Sequence, residues 1–91
     1  MTSRVDRELE TKKTYRCPCC RFKTLYGRGQ EEICPVCFWH DDGQDEADAD
    51  QIWGGPNYEL SLSQARENFK VLGASSERAQ RHVRFALQEE L

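Results

Sequence analysis

All five cysteines of this 91-residue chain fall between Cys17 and Cys37. Cys17-Pro18-Cys19-Cys20 and Cys34-Pro35-Val36-Cys37 each supply a C-x2-C pair, and 13 residues separate the two pairs. Two cysteines three positions apart on a tight turn aim both sulfurs at one ion. Two such turns facing each other complete a tetrahedron, the geometry zinc accepts in closed structural sites. A proline after the first cysteine of each pair restricts the turn backbone. The spacer is a little shorter than the usual zinc template but long enough for a hairpin that brings the turns together. Cys17, Cys20, Cys34 and Cys37 are therefore the expected ligands of one structural zinc ion.

The odd count and the paired spacing favour thiolates held by metal over disulfides. Cys19, adjacent to Cys20, points a different way and is expected to be a free thiol. His40 follows Cys37 by three residues, but four better-spaced cysteines already satisfy one ion, so a role beside the site or on the surface is expected. His82 reads as a surface or packing residue.

Only 37% of the chain is hydrophobic and 32% is charged, so its core must be modest. Structural zinc binds small peptides with an apparent free energy of roughly 10 to 16 kcal/mol, comparable to the whole stability of an ordinary domain. Loss of the metal is expected to unfold at least the cysteine-bearing half. No apolar run approaches membrane-spanning length and no secretory leader is recognisable, so a reducing cytoplasm is the expected compartment. Charge is uneven: residues 1–30 carry eight bases and three acids, 31–60 nine acids and no Lys or Arg, and 61–91 five bases and four acids. The overall net of −3 works against strong phosphate-backbone affinity.

Read in order, the chain predicts a small α+β domain. Residues 1–13 hold Val5 and Leu9 as scattered apolar side chains and are expected to form a flexible N-terminal tail. Residues 14–91 form a single zinc-binding domain, zinc-ribbon-like over 14–40. There Phe22, Thr24 and Tyr26 alternate as a strand, Gly27-Arg28-Gly29 turns, and Glu31-Glu32-Ile33 returns as the partner strand. Phe38 and Trp39 are expected to cover the metal site, with Trp53 and Tyr58 in the same cluster. The acidic run Asp41–Asp50 does not match a calcium loop and reads as the start of a solvated loop over 41–57. Ser61 with Gln64 forms a capping-box signature, and Leu62, Ala65, Phe69 and Leu72 predict a helix over about 62–72 with Gly73 as its stop. Ala79, Val83, Ala86 and Leu87 predict a second short helix over about 76–90.

These features resemble the bacterial cysteine-rich CPCC family. The resemblance rests on Tyr15-Arg16-Cys17-Pro18-Cys19-Cys20, on Glu32 to Trp39, on Asp41-Asp42-Gly43, and on Ser61-Leu62 with Ala65 to Phe69. It implies a small zinc-binding domain and no assigned activity. Arg21 stands where the family often has glycine, and His40 where an acid is common.

No nucleophile, base and oxyanion set converges, so an enzyme is not expected. The leading expectation is a non-enzymatic zinc module whose surface binds a protein partner. One alternative is nucleic-acid binding through Arg16, Arg21, Lys23 and Arg28, with Tyr26 or Phe22 for stacking. Another is rubredoxin-like electron transfer by iron, against which stand the short spacer and the missing glycine after each pair.

Overall fold

A computed structural model describes residues 13–91. The tail expected over 1–13 therefore lies, apart from Lys13, outside the described residues. Strands β1 (Tyr15–Arg16) and β2 (Lys23–Leu25) pair antiparallel. They bracket the first cysteine turn: the Cys17 amide donates to the Phe22 carbonyl at 2.9 Å and the Arg21 amide to the Cys17 carbonyl at 2.8 Å.

The second cysteine turn repeats these bonds 17 residues later. The Cys34 amide donates to the Trp39 carbonyl at 2.9 Å and the Phe38 amide to the Cys34 carbonyl at 2.8 Å. Here the flanking segments pair through a bridge between Ile33 and His40. This corrects the expected hairpin, in which Glu31-Glu32-Ile33 would return along Phe22–Tyr26. Each cysteine turn instead closes its own hairpin, and Glu31 and Glu32 exchange backbone bonds with Asp41. The physical reason is the pair of backbone bonds within each cysteine turn, which fold the chain back on itself at once and set the partner segment directly beyond the turn. The intervening loop is held from the side by Glu32, whose carboxylate accepts from the Tyr26 and Gly27 amides.

Helix α1 (Leu62–Leu72) is N-capped by Ser61, whose hydroxyl accepts from the Gln64 amide at 3.1 Å. Gln64 does not complete the expected capping box. Its side chain donates to Asn68 instead. Gly73 ends the helix in the left-handed conformation (φ 72°), with its amide bonded to Phe69. Leu62 and Ala65 are buried against the cysteine turns, and Phe69 meets Phe22 edge to face at 6.4 Å. Arg66 fixes the helix to the first turn by donating from Nε to the Pro18 carbonyl at 2.8 Å.

The helix expected over 76–90 is not formed. Glu77–His82 is a 3-10 helix, residues 83–87 run extended, and Gln88–Glu90 makes a last 3-10 turn. Two backbone amides dock this region on the second cysteine turn: Ser75, just before the predicted helix, on the Cys37 carbonyl, and Arg84, from within it, on the Pro35 carbonyl. Ala79 is buried and Ala86 packs on the core, while Leu87 of the predicted apolar stripe lies exposed.

The loop over 41–57 is also more structured than expected. Asp41 and Gln44 are fully buried. Arg28 reaches Asp41 through Nε at 3.0 Å and Asp45 at 2.6 Å, and donates to the Gln44 carbonyl at 2.8 Å. Asp41 also accepts from the Gly29 amide at 2.7 Å. No helix among the described residues is long and apolar enough to cross a membrane.

Candidate metal centre

The two hairpins present their cysteine pairs to each other. The sulfurs of Cys17, Cys20, Cys34 and Cys37 all lie within 4.8 Å of one another. Cys17 Sγ is 3.6 Å from Cys37 Sγ, and Cys20 Sγ is 3.7 Å from Cys34 Sγ. A tetrahedron with metal–sulfur bonds of about 2.3 Å has edges of about 3.8 Å. Two of the sulfur pairs match that edge and the remaining distances stay within 4.8 Å, so the four side chains could hold one metal ion. Three of them are fully buried and Cys20 is 7% exposed.

Both turns are built alike around the sulfurs. Just past each pair, Arg21 (φ 73°) and Phe38 (φ 70°) adopt the left-handed conformation. That twist closes the turn and lets the amides of Cys19 and Val36 donate to the sulfurs of Cys17 and Cys34, each at 3.4 Å. The left-handed turn is therefore present without the glycine that usually supplies it. Thr24 adds a hydroxyl 3.0 Å from Cys34 Sγ. The alternating pattern around Thr24 suggested a strand and gave no sign that its side chain would face the sulfurs.

The electrostatics favour a cation. By themselves the sulfurs compete for protons. Hydrogen bonds to Cys17, Cys20 and Cys37 hold the Cys34 thiol well below its ordinary range. The hydrogen bond to Cys17, foremost, pushes Cys20 and Cys37 well above theirs. The cluster can carry one negative charge easily and four only against strong mutual repulsion, which a divalent ion relieves.

Cys19 lies outside the four although it is only 4% exposed. None of the five cysteines is in a disulfide. His40 also lies outside the cluster, and its Nε2 meets Glu31 Oε1 at 2.6 Å. Trp39 is fully buried in the core beside the cysteines, and Phe38 stacks on His82 with ring centres 4.8 Å apart. Trp53 and Tyr58 are exposed and do not join that core, because the loop that carries them turns outward at Gly54 and Gly55, both with positive φ.

Neither the curated proteins nor the solved structures contain a match to this chain. The family model described as Cysteine-rich CPCC matches residues 15–90, a span that takes in both cysteine turns, the Arg28-bound loop, α1 and the docked C-terminal segment. The chain belongs to the cysteine-rich CPCC family.

Proposed function

We propose that this protein is a small, non-enzymatic zinc-binding module whose metal is structural and whose exposed surface engages a protein partner. The observation that carries the reading is the closed sulfur cage. Four sulfurs within 4.8 Å of one another and with almost no solvent contact leave no position for water or substrate on the ion. Cys17, Cys20, Cys34 and Cys37 would hold the ion, which would supply a fixed crosslink between the two hairpins.

The partner surface is assigned to the apolar face beside the C-terminal segment. Phe85, 95% exposed, lines a groove of about 600 Å³ together with Phe22, Phe69, Leu72 and Val83. Large exposed aromatic side chains of this kind supply binding energy at interfaces. Nucleic-acid binding fits less well, because most of its proposed basic face is engaged within the fold. Arg28 is held by Asp41 and Asp45, Arg21 pairs with Glu46, and Arg16 donates to the carbonyls of Arg21 and Leu91.

Iron is kept as a second reading on one specific observation. The left-handed Arg21 and Phe38 supply the turn that a glycine would otherwise give, so the missing glycines no longer weigh against it. Elemental analysis of the purified holoprotein separates the two. We expect one zinc per chain and a colourless protein, retained in Cys19→Ser and weakened or lost in Cys20→Ser. Red protein containing iron would overturn the zinc reading, and equal metal loss in both variants would overturn the ligand assignment.

A further inference from the structure

A second concave site is lined by none of the four cysteines, and the metal reading does not use it. Its open volume is about 400 Å³, and its lining includes Phe38, His40, Tyr58, Ser75, Arg78 and His82. That is within the range of small-ligand sites, roughly 300 to 1,000 Å³.

The floor is polar and unspent. Ser75 is 4% exposed and Ser76 9%, and among the described residues neither hydroxyl has a hydrogen-bond partner. Their backbones are fixed: the Ser75 amide donates to the Cys37 carbonyl, the Ser75 carbonyl accepts from Asn68 Nδ2, and the Ser76 carbonyl accepts from the Ala79 amide. Two hydroxyls that line a cavity on a rigid backbone can donate to a ligand without reorganisation.

The wall brings positive charge. The Arg78 guanidinium lies over the Tyr58 ring at 4.1 Å from its centre, a stack that holds the fork in place. Its one acidic contact among the described residues, Glu59 at 3.6 Å, is solvent-exposed and weak. The His82 ring is steadied by its stack on Phe38. Tyr58 itself takes φ 56° and ψ −125°, a sparsely populated conformation for a residue with a side chain. Two further acids touch residues that line the groove: Glu31 faces His40, and Asp42 accepts from Asn57 Nδ2.

From these observations we propose that the groove binds a small oxyanion, a carboxylate or a phosphate, carried on a planar aromatic body. The oxyanion takes hydrogen bonds from the Arg78 fork and the Ser75 and Ser76 hydroxyls, and the aromatic body lies against Tyr58 and the Phe38–His82 pair. Bidentate guanidinium recognition of either oxyanion is the shared chemistry. The inference stands apart from the partner surface proposed above, which lies around Phe85.

The test is a titration of the metal-loaded, full-length protein, followed by amide NMR shifts, with phenyl phosphate and benzoate as the two oxyanion probes and benzamide as the neutral control. The expected result is saturable binding of at least one oxyanion, with shifts centred on Tyr58, Ser75, Ser76 and Arg78 and benzamide at least about tenfold weaker, as loss of a charge-assisted contact requires. Whichever probe saturates tells carboxylate from phosphate. Arg78→Gln should weaken binding by about tenfold or more, Ser75→Ala by roughly three- to tenfold, and Arg81→Gln, outside the groove, should leave it unchanged. Arg78 is exposed, and retained metal stoichiometry and amide dispersion establish that its variant is folded. Absence of saturable shifts with both oxyanions, equal binding of benzamide, or undiminished binding by folded Arg78→Gln would each overturn the proposal.

Discussion

Arg21 and Phe38 show how a single backbone angle shapes the site. Each follows the second cysteine of its pair and each holds a positive φ near 70°. For a residue with a Cβ that conformation costs roughly 1 to 2 kcal/mol. Arg21→Gly should therefore stabilise the protein by about 0.5 to 1 kcal/mol, after allowance for the greater flexibility of glycine in the unfolded chain. Its exposed pairing with Glu46 subtracts little. Denaturant unfolding of the metal-loaded protein measures the change, and a loss of stability would mean that the arginine side chain contributes more than its strain. Thr24 works at the same scale, aiming a hydroxyl at Cys34 Sγ from β2. Its side chain faces the sulfurs because the hairpin closes around the first cysteine turn, a pairing that the local alternation did not reveal.

Among the elements, the acidic loop departs furthest from its reading as solvated chain. Its composition suggested repulsion, but the fold neutralises it from outside the run: Arg28 bridges Asp41 and Asp45, and Arg66 and Arg21 meet Glu46. The hydrogen bond from Arg28, foremost, lowers the Asp45 carboxyl below its ordinary range, and that from Arg66 does the same for Glu46. Asp41 is the critical member because it is fully buried. Arg28→Met would leave that carboxylate with only backbone donors and should cost about 3 to 5 kcal/mol, the usual penalty of a buried charge stripped of its partner. Thermal unfolding of the variant checks this, and a change below about 1 kcal/mol would show that the Gly29 and Gly43 amides suffice.

The C-terminal segment was predicted as a helix because its apolar residues recur at helical spacing. It is instead held by the Pro35 carbonyl, on which the Arg84 amide docks, and by side-chain bonds of its own. Arg84 clasps Glu90 with two bonds of 2.8 Å, and the Leu87 amide donates to the same carboxylate. The Arg84 hydrogen bonds, foremost, lower the Glu90 carboxyl below its ordinary range. Its contribution is therefore fully present above the unfolded carboxylate value of about 4.3 and is lost as pH falls through the lowered folded value. Hydrogen exchange of residues 83–91 should accelerate as pH is lowered below about 4 relative to α1, after correction for intrinsic rates. In Glu90→Gln the segment should already exchange faster at neutral pH. Unchanged protection in that variant would remove the clasp from the account.

For the whole molecule, the core is assembled around the cysteines. Cys17, Cys20, Cys34 and Cys37 share one cluster with Leu25, Trp39, Leu62 and Ala65. The two hairpins, α1 and the C-terminal segment all converge there, so the four-sulfur cluster is the centre of the fold. Removal of the metal by a strong chelator should unfold the chain cooperatively, with loss of the α1 signal as well as of the hairpins. Structural zinc supplies roughly 10 to 16 kcal/mol, more than so small a core can replace. Circular dichroism during chelation and re-addition of zinc follows this directly. Persistence of a folded α1 without metal would divide the molecule into a metal-dependent half and an independent one.

The sequence by itself determined the features that depend on neighbours along the chain. Two C-x2-C turns, each tightened by a proline, converge in the fold on one cluster of four sulfurs that leaves Cys19 outside, and Ser61, the 3.6-residue apolar recurrence and Gly73 delimit α1. Tertiary structure alone decided the rest, because those outcomes turn on which distant group answers which. Each cysteine turn closed its own hairpin, the segment after Ala79 left the helical path and docked its Arg84 amide on the Pro35 carbonyl, and Asp41 was buried because Arg28 arrived to meet it. Local periodicity records the hydrogen bonds a segment can make with itself. It does not record the carbonyl or guanidinium that the folded chain offers in their place.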